Sequence, residues 1–347
     1  MGIEESAVAS VPVRGPRTQA GHPGADEHHL PGTQFRDRMR NAAAVPIRWL
    51  SYWSGSGLRQ SRAIVRPRIL MYHALGVEGL SVRRLRWQFQ LMRKEFEPVP
   101  LGTLVSRLQE ETTTGREIAL TFDDGARNHF TRVWPLLREY GIPATFFVCP
   151  GLIETNAWMW TAELRSRLNM LDDARRKRIA READCPARST HAIMEWAKRL
   201  PIHDRLAFQA SVEAHTRHFS PSAEEIERYA PLSWDQLRQL DPRLITIGSH
   251  TSTHPILTKL PEHQLHEEIA DSRKTLEQRL DRTIDLFSYP NGINNSAVVD
   301  VVREHYRAAV SAAEGVVARN DDLHTLPRIP GGGSSADFIR RLHRPAA

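Results

Sequence analysis

Two aspartates stand side by side at 123 and 124, where they close the run IALTFDDG from Ile118 to Gly125. An apolar run of that length reads as a buried parallel strand, and the carboxyl end of such a strand is where α/β proteins bind ligands. Consecutive strand residues face opposite ways, so the two acids share one task only if the strand breaks, which Gly125 permits. One acid is therefore expected to hold a metal and its neighbour to handle a proton. A second pair, His250 and His254, follows another apolar run from Leu244 to Gly248. A helical turn at that spacing brings both imidazoles to one side. With one carboxylate they make an open metal site that leaves positions for water and substrate. Iron oxygenases use the same donor types but place the carboxylate two residues after the first histidine, where this chain has Ser252. His73 ends a third short run, ILMYH from Ile69, so three polar strand ends fall where a barrel mouth would lie.

The elements needed to position these residues are legible as an alternation. After the strand at Ile69, Ser81 can cap a helix in which Leu85, Phe89, Met92 and Phe96 recur at helical spacing. After TFDDG comes a helix over Phe130 to Tyr140 ended by Gly141, then a buried strand from Ala144 to Val148. The rhythm resumes with Ser233 capping a short helix, the strand before His250, a long amphipathic helix from Pro261 to about Asp281, and a strand from Ile284 to Tyr289 that runs into the turn PNG. A helix over Val298 to Tyr306, a strand over Ala308 to Ser311, the segment LPRIP and a closing helix near Ala336 to Leu342 complete the chain. Strands alternating with helices imply a parallel sheet, and the count suits a distorted (β/α) barrel of about seven strands. GxGxxG is absent, which argues against an open dinucleotide-binding sheet.

Domain organisation follows. Residues 1–65 are rich in Gly, Pro, His and charge and read as a flexible leader, with one domain over 66–345. Residues 158–230 break the rhythm with a charged, Arg- and Glu-rich stretch, expected as a helical insertion over the barrel mouth or outer wall. Its His191, His203, His215 and His218 read as solvated helix residues. The 47 basic and 41 acidic residues leave a net charge of +6 spread along the chain, which permits an anionic partner without requiring one. No basic block interleaved with aromatics and no zinc-finger spacing is present, so nucleic acid is not expected. Cys149 and Cys185 have no CxxC pairing and are expected as reduced thiols. The start carries Glu4 and Glu5 rather than a basic and apolar leader, and no stretch of eighteen apolar residues occurs. Cytoplasmic residence is expected, with residues 42–53 as a stretch that could touch a membrane surface if it does not pack on the domain.

The motifs TFDDG at Thr121 to Gly125, HTxxH at His250 to His254 and FSYPNG at Phe287 to Gly292 occur in that order. Over about Arg68 to Leu342 the chain thereby resembles the polysaccharide deacetylases with a NodB-homology domain, carbohydrate esterase family four. The resemblance is nearest to the branch that acts on poly-N-acetylglucosamine. It implies hydrolysis of an N-acetyl group from an amino-sugar glycan or its lipid-linked precursor. It also implies Asp123 as general base and Asp124, His250 and His254 as ligands of a divalent metal, zinc first, with cobalt, nickel or iron as alternatives. A YH pair on the first strand marks His73 as the acid for the leaving amine. Tyr289, Pro290, Asn291 and Arg328 are the expected substrate contacts, a backbone N–H near Asn291 serving the oxyanion. The chain departs from the commoner pattern in two places. Ser288 stands where an arginine usually orients the base, for which Arg328 in LPRIP is a candidate stand-in. The late leucine–histidine motif has no clear match. Two further readings are an amidase or deformylase on a non-polymeric amide, and an idle glycan-binding module, against which the presence of Asp123 speaks.

Overall fold

The computed structural model describes residues 66–343; the expected leader and the stretch 42–53 lie outside the described residues. Eight strands run in chain order among them: β1 (Arg68–Tyr72), β2 (Glu97–Pro98), β3 (Glu117–Phe122), β4 (Ala144–Val148), β5 (Ile245–Ser249), β6 (Leu286–Ser288), β7 (Ala308–Glu314) and β8 (Leu326–Pro330). All pairings between named strands are parallel, in the order β1-β8-β7-β6-β5-β4-β3-β2, and a further pairing of β1 with β3 closes seven of them into a barrel. The eighth, β2, lies outside the ring beside the first residues of β3. The expected distorted (β/α) barrel is the fold found.

The helices between strands are α1 (Val82–Glu95), α2 (Leu101–Gln109), α3 (Trp134–Tyr140) and α4 (Pro150–Thr155), then α5 (Trp160–Met170), α6 (Asp173–Glu182), α7 (Thr190–Ala197), α8 (Ile202–His215), α9 (Ala223–Tyr229) and α10 (Trp234–Gln239). The series ends with α11 (Glu262–His266), α12 (Ser272–Leu280), α13 (Ser296–His305) and α14 (Ser335–His343). Local chemistry sets several ends. Ser81 Oγ accepts from the Arg84 amide at 3.2 Å to start α1, Ser233 and Gln236 form a reciprocal cap on α10, and Gly141 at φ 60° stops α3. Two π-helical turns, His129–Val133 before α3 and Glu267–Asp271 between α11 and α12, interrupt what the periodicity presents as continuous helices.

Strand parity builds the site. Ile69, Ala119, Phe147, Leu286, Ala308 and Leu326 pack together with Leu101, Leu104 and Val105 of α2, which floors the barrel. The intervening residues, such as Leu70, Ile118, Phe146 and Phe287, pack outward against the helices. With a period of two, the inward face climbs from Ile69 to His73 on β1, from Ala119 to Asp123 on β3, from Leu286 to Ser288 on β6 and from Leu326 to Arg328 on β8. The lower layer is apolar and the upper layer carries the polar groups.

Two expectations need correction, and one segment carried no expectation: Glu97–Gln109 forms β2 and α2, a two-residue strand and a nine-residue helix with too little periodicity to announce themselves. The strand expected over Ile284 to Tyr289 is only Leu286–Ser288, because Tyr289 already enters the PNG turn. The insertion has more than scattered apolar positions: Leu164, Leu168, Ile179, Met194, Phe208 and Val212 meet in a core of their own. Cys149 and Cys185 are free, buried thiols as expected. No helix of the described residues is long and apolar enough to cross a membrane.

Candidate active site

Asp123 still belongs to the sheet: its amide donates to the Tyr72 carbonyl at 2.8 Å, extending the β1–β3 ladder. The chain then turns left-handed, with Asp124 at φ 77° and Gly125 at φ 60°. This break sends the two carboxylates to different partners. A Cβ on Gly125 would lie 2.9 Å from Val148 Cγ1, so the second step of the break requires glycine on two counts.

Asp123 is gripped by Arg328, whose Nη1 donates to Oδ1 at 2.8 Å and Nη2 to Oδ2 at 2.7 Å. The remaining guanidinium hydrogens go to Thr121 Oγ1, Ser288 Oγ and the Ser311 carbonyl. All five N–H groups of the arginine are thus committed inside the barrel wall. Arg328 therefore braces Asp123 and has no N–H left over for a further partner. Burial pushes the Asp123 carboxyl up, but the Arg328 charge and hydrogen bonds outweigh it and hold the group below the ordinary carboxylate range.

Asp124 turns to the histidines. Its Oδ1 lies 3.5 Å from His250 Nε2 and 3.6 Å from His254 Nε2. His250 Nδ1 is 2.7 Å from the Ser288 carbonyl, which can only accept, so Nδ1 carries the proton and Nε2 presents its lone pair. The helical turn expected to join the two histidines is absent. His254 is brought back by a loop with Thr251 at φ 68° and His254 at φ 61°, closed by the His254 amide donating to Thr251 Oγ1 at 3.0 Å. Glu268 holds the loop from outside by accepting from the Thr253 amide at 2.9 Å. Asp124, Thr251, His254 and Asn291 are four of the nine non-glycine residues with positive φ among the described residues. Such backbone persists where surrounding structure over-determines it, and here it gathers around one cavity.

The donor set suits a cation. The ligand atoms of Asp124, His250 and His254 lie within 4.8 Å of one another, and separations near 3.5 Å are what two ligands about 2.0–2.2 Å from one shared ion adopt. His250 Nε2 is buried with no hydrogen-bond partner, an orphaned state that an ion would relieve. Burial raises the Asp124 carboxyl, yet the neighbouring imidazoles, His250 first, hold it far below its usual value. Burial and the neighbouring His250 pull His254 down to about 4, which keeps its imidazole neutral.

Asp124, His250, His254, Asp123, His73, Tyr289, Asn291 and Arg328 all line one cavity of about 290 Å³. Tyr289 gives its hydroxyl to the His324 carbonyl at 2.8 Å, so it supplies wall rather than a free donor. Pro290 is buried beneath the turn, where Gly292 donates to the Tyr289 carbonyl at 2.9 Å. Asn291 Nδ2 is buried at this wall without a partner. Two residues escaped the sequence reading. Asn128 clamps the loop after His73, its Oδ1 accepting from the Leu75 amide at 3.2 Å and its Nδ2 donating to the Leu75 carbonyl at 3.0 Å. His129, fully buried between Phe122 and Phe146, is pulled down to about 4 by burial. The signal for both was a polar Asn–His pair that follows DDG after Ala126 and Arg127, directly before the expected helix.

A parallel barrel that gathers an arginine-braced acid beside a carboxylate and two imidazoles at the carboxyl ends of its strands defines a class of hydrolase. A family model described as polysaccharide deacetylase matches residues 110–310, and the chain belongs to that family. The Bacillus subtilis (strain 168) protein YxkH is 21% identical over 278 residues, covering 77% of this chain and 73% of that one. Among solved structures, the Streptococcus pyogenes deacetylase PplD in complex with acetate superposes with a TM-score of 0.55 at 19% identity, covering 81% of this chain and 99% of that one. IcaB from Ammonifex degensii gives 0.52 at 16% identity, covering 80% and 95%. At these identities the structural likenesses speak for the barrel alone.

Proposed function

We propose that the chain is a metal-dependent hydrolase that removes N-acetyl groups from an amino-sugar glycan or its lipid-linked precursor. The observation that carries the reading is the division of labour between neighbours: Asp124 stands 3.5 and 3.6 Å from two imidazole nitrogens while Asp123 is turned aside and braced by Arg328. Asp124, His250 and His254 would hold a divalent ion, which when bound supplies an electrophile for the amide carbonyl and acidity for a water.

The chain's own groups do the rest. Asp123, kept ionised by Arg328, accepts the proton of the attacking water, and the arginine fixes which of its lone pairs faces the cavity. The amide of Asn291, on its left-handed turn, and its side-chain Nδ2 are the donors nearest to hand for the developing oxyanion. His73, at the end of β1 and on the cavity wall, returns a proton to the departing nitrogen so that the amine leaves neutral. Asn128 positions His73 by tying down the loop that follows it.

The test is acetate release from N-acetylglucosamine oligosaccharides. Activity is expected to vanish on chelation, to return with zinc, and to be absent in Asp123→Asn. Turnover that survives both the chelator and the substitution would overturn the mechanism.

A further inference from the structure

The insertion brings three cations to the catalytic cavity. Arg165 on α5, Lys198 at the end of α7 and Arg228 on α9 all line the space that holds Asp123 and Asp124. Arg165 is anchored where it stands: Ala162 on the same helix packs with Cys149 and Leu152 at the barrel rim, and Leu164 and Leu168 enter the core of the insertion. Arg228 lies across Gly76 in the loop after β1, its guanidinium 2.8 Å from where a Cβ would be.

Charge accounting separates the three. Lys198 pairs with Glu195 at 2.8 Å and Arg228 with Glu224, each within its own helix. Arg165 has no carboxylate partner among the described residues. On the barrel side Asp123 is matched by Arg328 and Asp124 faces the histidines, leaving Glu78 as the further acid of the lining. Cations lining a cleft focus positive potential into it. Deacetylation creates an ammonium, which such a wall repels, so the wall brings no advantage to a glycan that carries only neutral and cationic groups.

We infer that Arg165, supported by Lys198 and Arg228, forms a subsite for an anionic group borne by the substrate next to the N-acetylated sugar, either the carboxylate of a uronate or a phosphate. A guanidinium binds both by paired hydrogen bonds. The inference rests on the deacetylase reading for its substrate and on the insertion for its selectivity.

Binding and turnover are measured separately. Calorimetric titration compares chitotetraose with a tetrasaccharide alternating N-acetylglucosamine and glucuronate, and N-acetylglucosamine with its 1-phosphate, while acetate release is followed in parallel. At least one anionic probe is expected to bind roughly tenfold more tightly than its neutral counterpart, equivalent to about 1.4 kcal/mol. Arg165→Gln brings that ratio to about one and Arg165→Lys restores part of it, with circular dichroism confirming that both variants fold. Preference for the carboxylate points to an acidic polymer, and preference for the phosphate to a lipid- or nucleotide-linked precursor. Equal affinities within both pairs, or a preference that persists in Arg165→Gln and in Lys198→Gln, would overturn the subsite even where acetate is released. Arg165-dependent binding without acetate release from any probe would leave the subsite standing and remove the deacetylase reading.

Discussion

Arg328 and Asp123 meet side by side, Nη1 to Oδ1 at 2.8 Å and Nη2 to Oδ2 at 2.7 Å, although they are 205 positions apart in the chain. Both are buried, so removing one charge strands the other. Arg328→Met is expected to cost about 3–5 kcal/mol of stability, read from the urea midpoint. Acetate release should fall by roughly 10²-fold or more, within the usual contribution of a positioned base. A variant that unfolds at the wild-type midpoint would show the pair to be incidental.

Zinc should stabilise the fold apart from any turnover. At a free concentration about a thousandfold above its dissociation constant, an ion that binds only the native state adds about 4 kcal/mol. Scanning calorimetry with and without chelator should therefore show a lower melting temperature for the stripped protein, and no such difference in Asp124→Ala or His250→Ala. Equal shifts in wild type and variants would place the ion elsewhere.

Asn128→Ala leaves the Leu75 amide and carbonyl without their buried partner. A loss of about 1–3 kcal/mol is expected. Hydrogen exchange should then quicken in residues 74–80, the loop that follows His73. Unchanged exchange in that loop would separate Asn128 from the positioning of His73.

His129 gives a pH dependence of known sign. Its folded-state value of about 4 lies below the ordinary 6.5, so the unfolded chain takes up the proton first as pH falls. Stability contributed by the neutral ring is complete above about pH 6.5 and is lost progressively down to about pH 4, by up to ~1.4 kcal/mol for each pH unit. Phenylalanine keeps an aromatic ring between Phe122 and Phe146 and has no group that titrates. His129→Phe should match wild type near pH 7.5 and exceed it increasingly in thermal melts toward pH 4.5. Parallel curves across that range would show that the ring is not neutral in the native state.

Much of the barrel could be read from the chain because its strands are short apolar runs whose last residues are polar, as at Tyr72–His73 and Phe122–Asp123. The motifs at 121–125 and 250–254 carried the three residues whose donor atoms converge. What escaped depends on distance or on backbone hand. No local signal says that Arg328 spends all its hydrogens on Asp123, Thr121, Ser288 and Ser311, because those partners arrive from three other strands. Spacing alone also misled at His250 and His254, where the left-handed Thr251 and His254 replace the helical turn that a four-residue interval implies. The insertion's core is similarly built by contacts between helices, each too polar to advertise a face.

The five-helix insertion also separates two kinds of inheritance. Residues proposed to break the amide sit on strand ends scattered from 73 to 328, and shifting any of them disturbs the ring. The side chains proposed to choose the sugar's neighbour lie in one uninterrupted stretch with its own apolar centre. Exchanging that stretch as a cassette between relatives should therefore alter which polymer is accepted while the bond being cut stays the same.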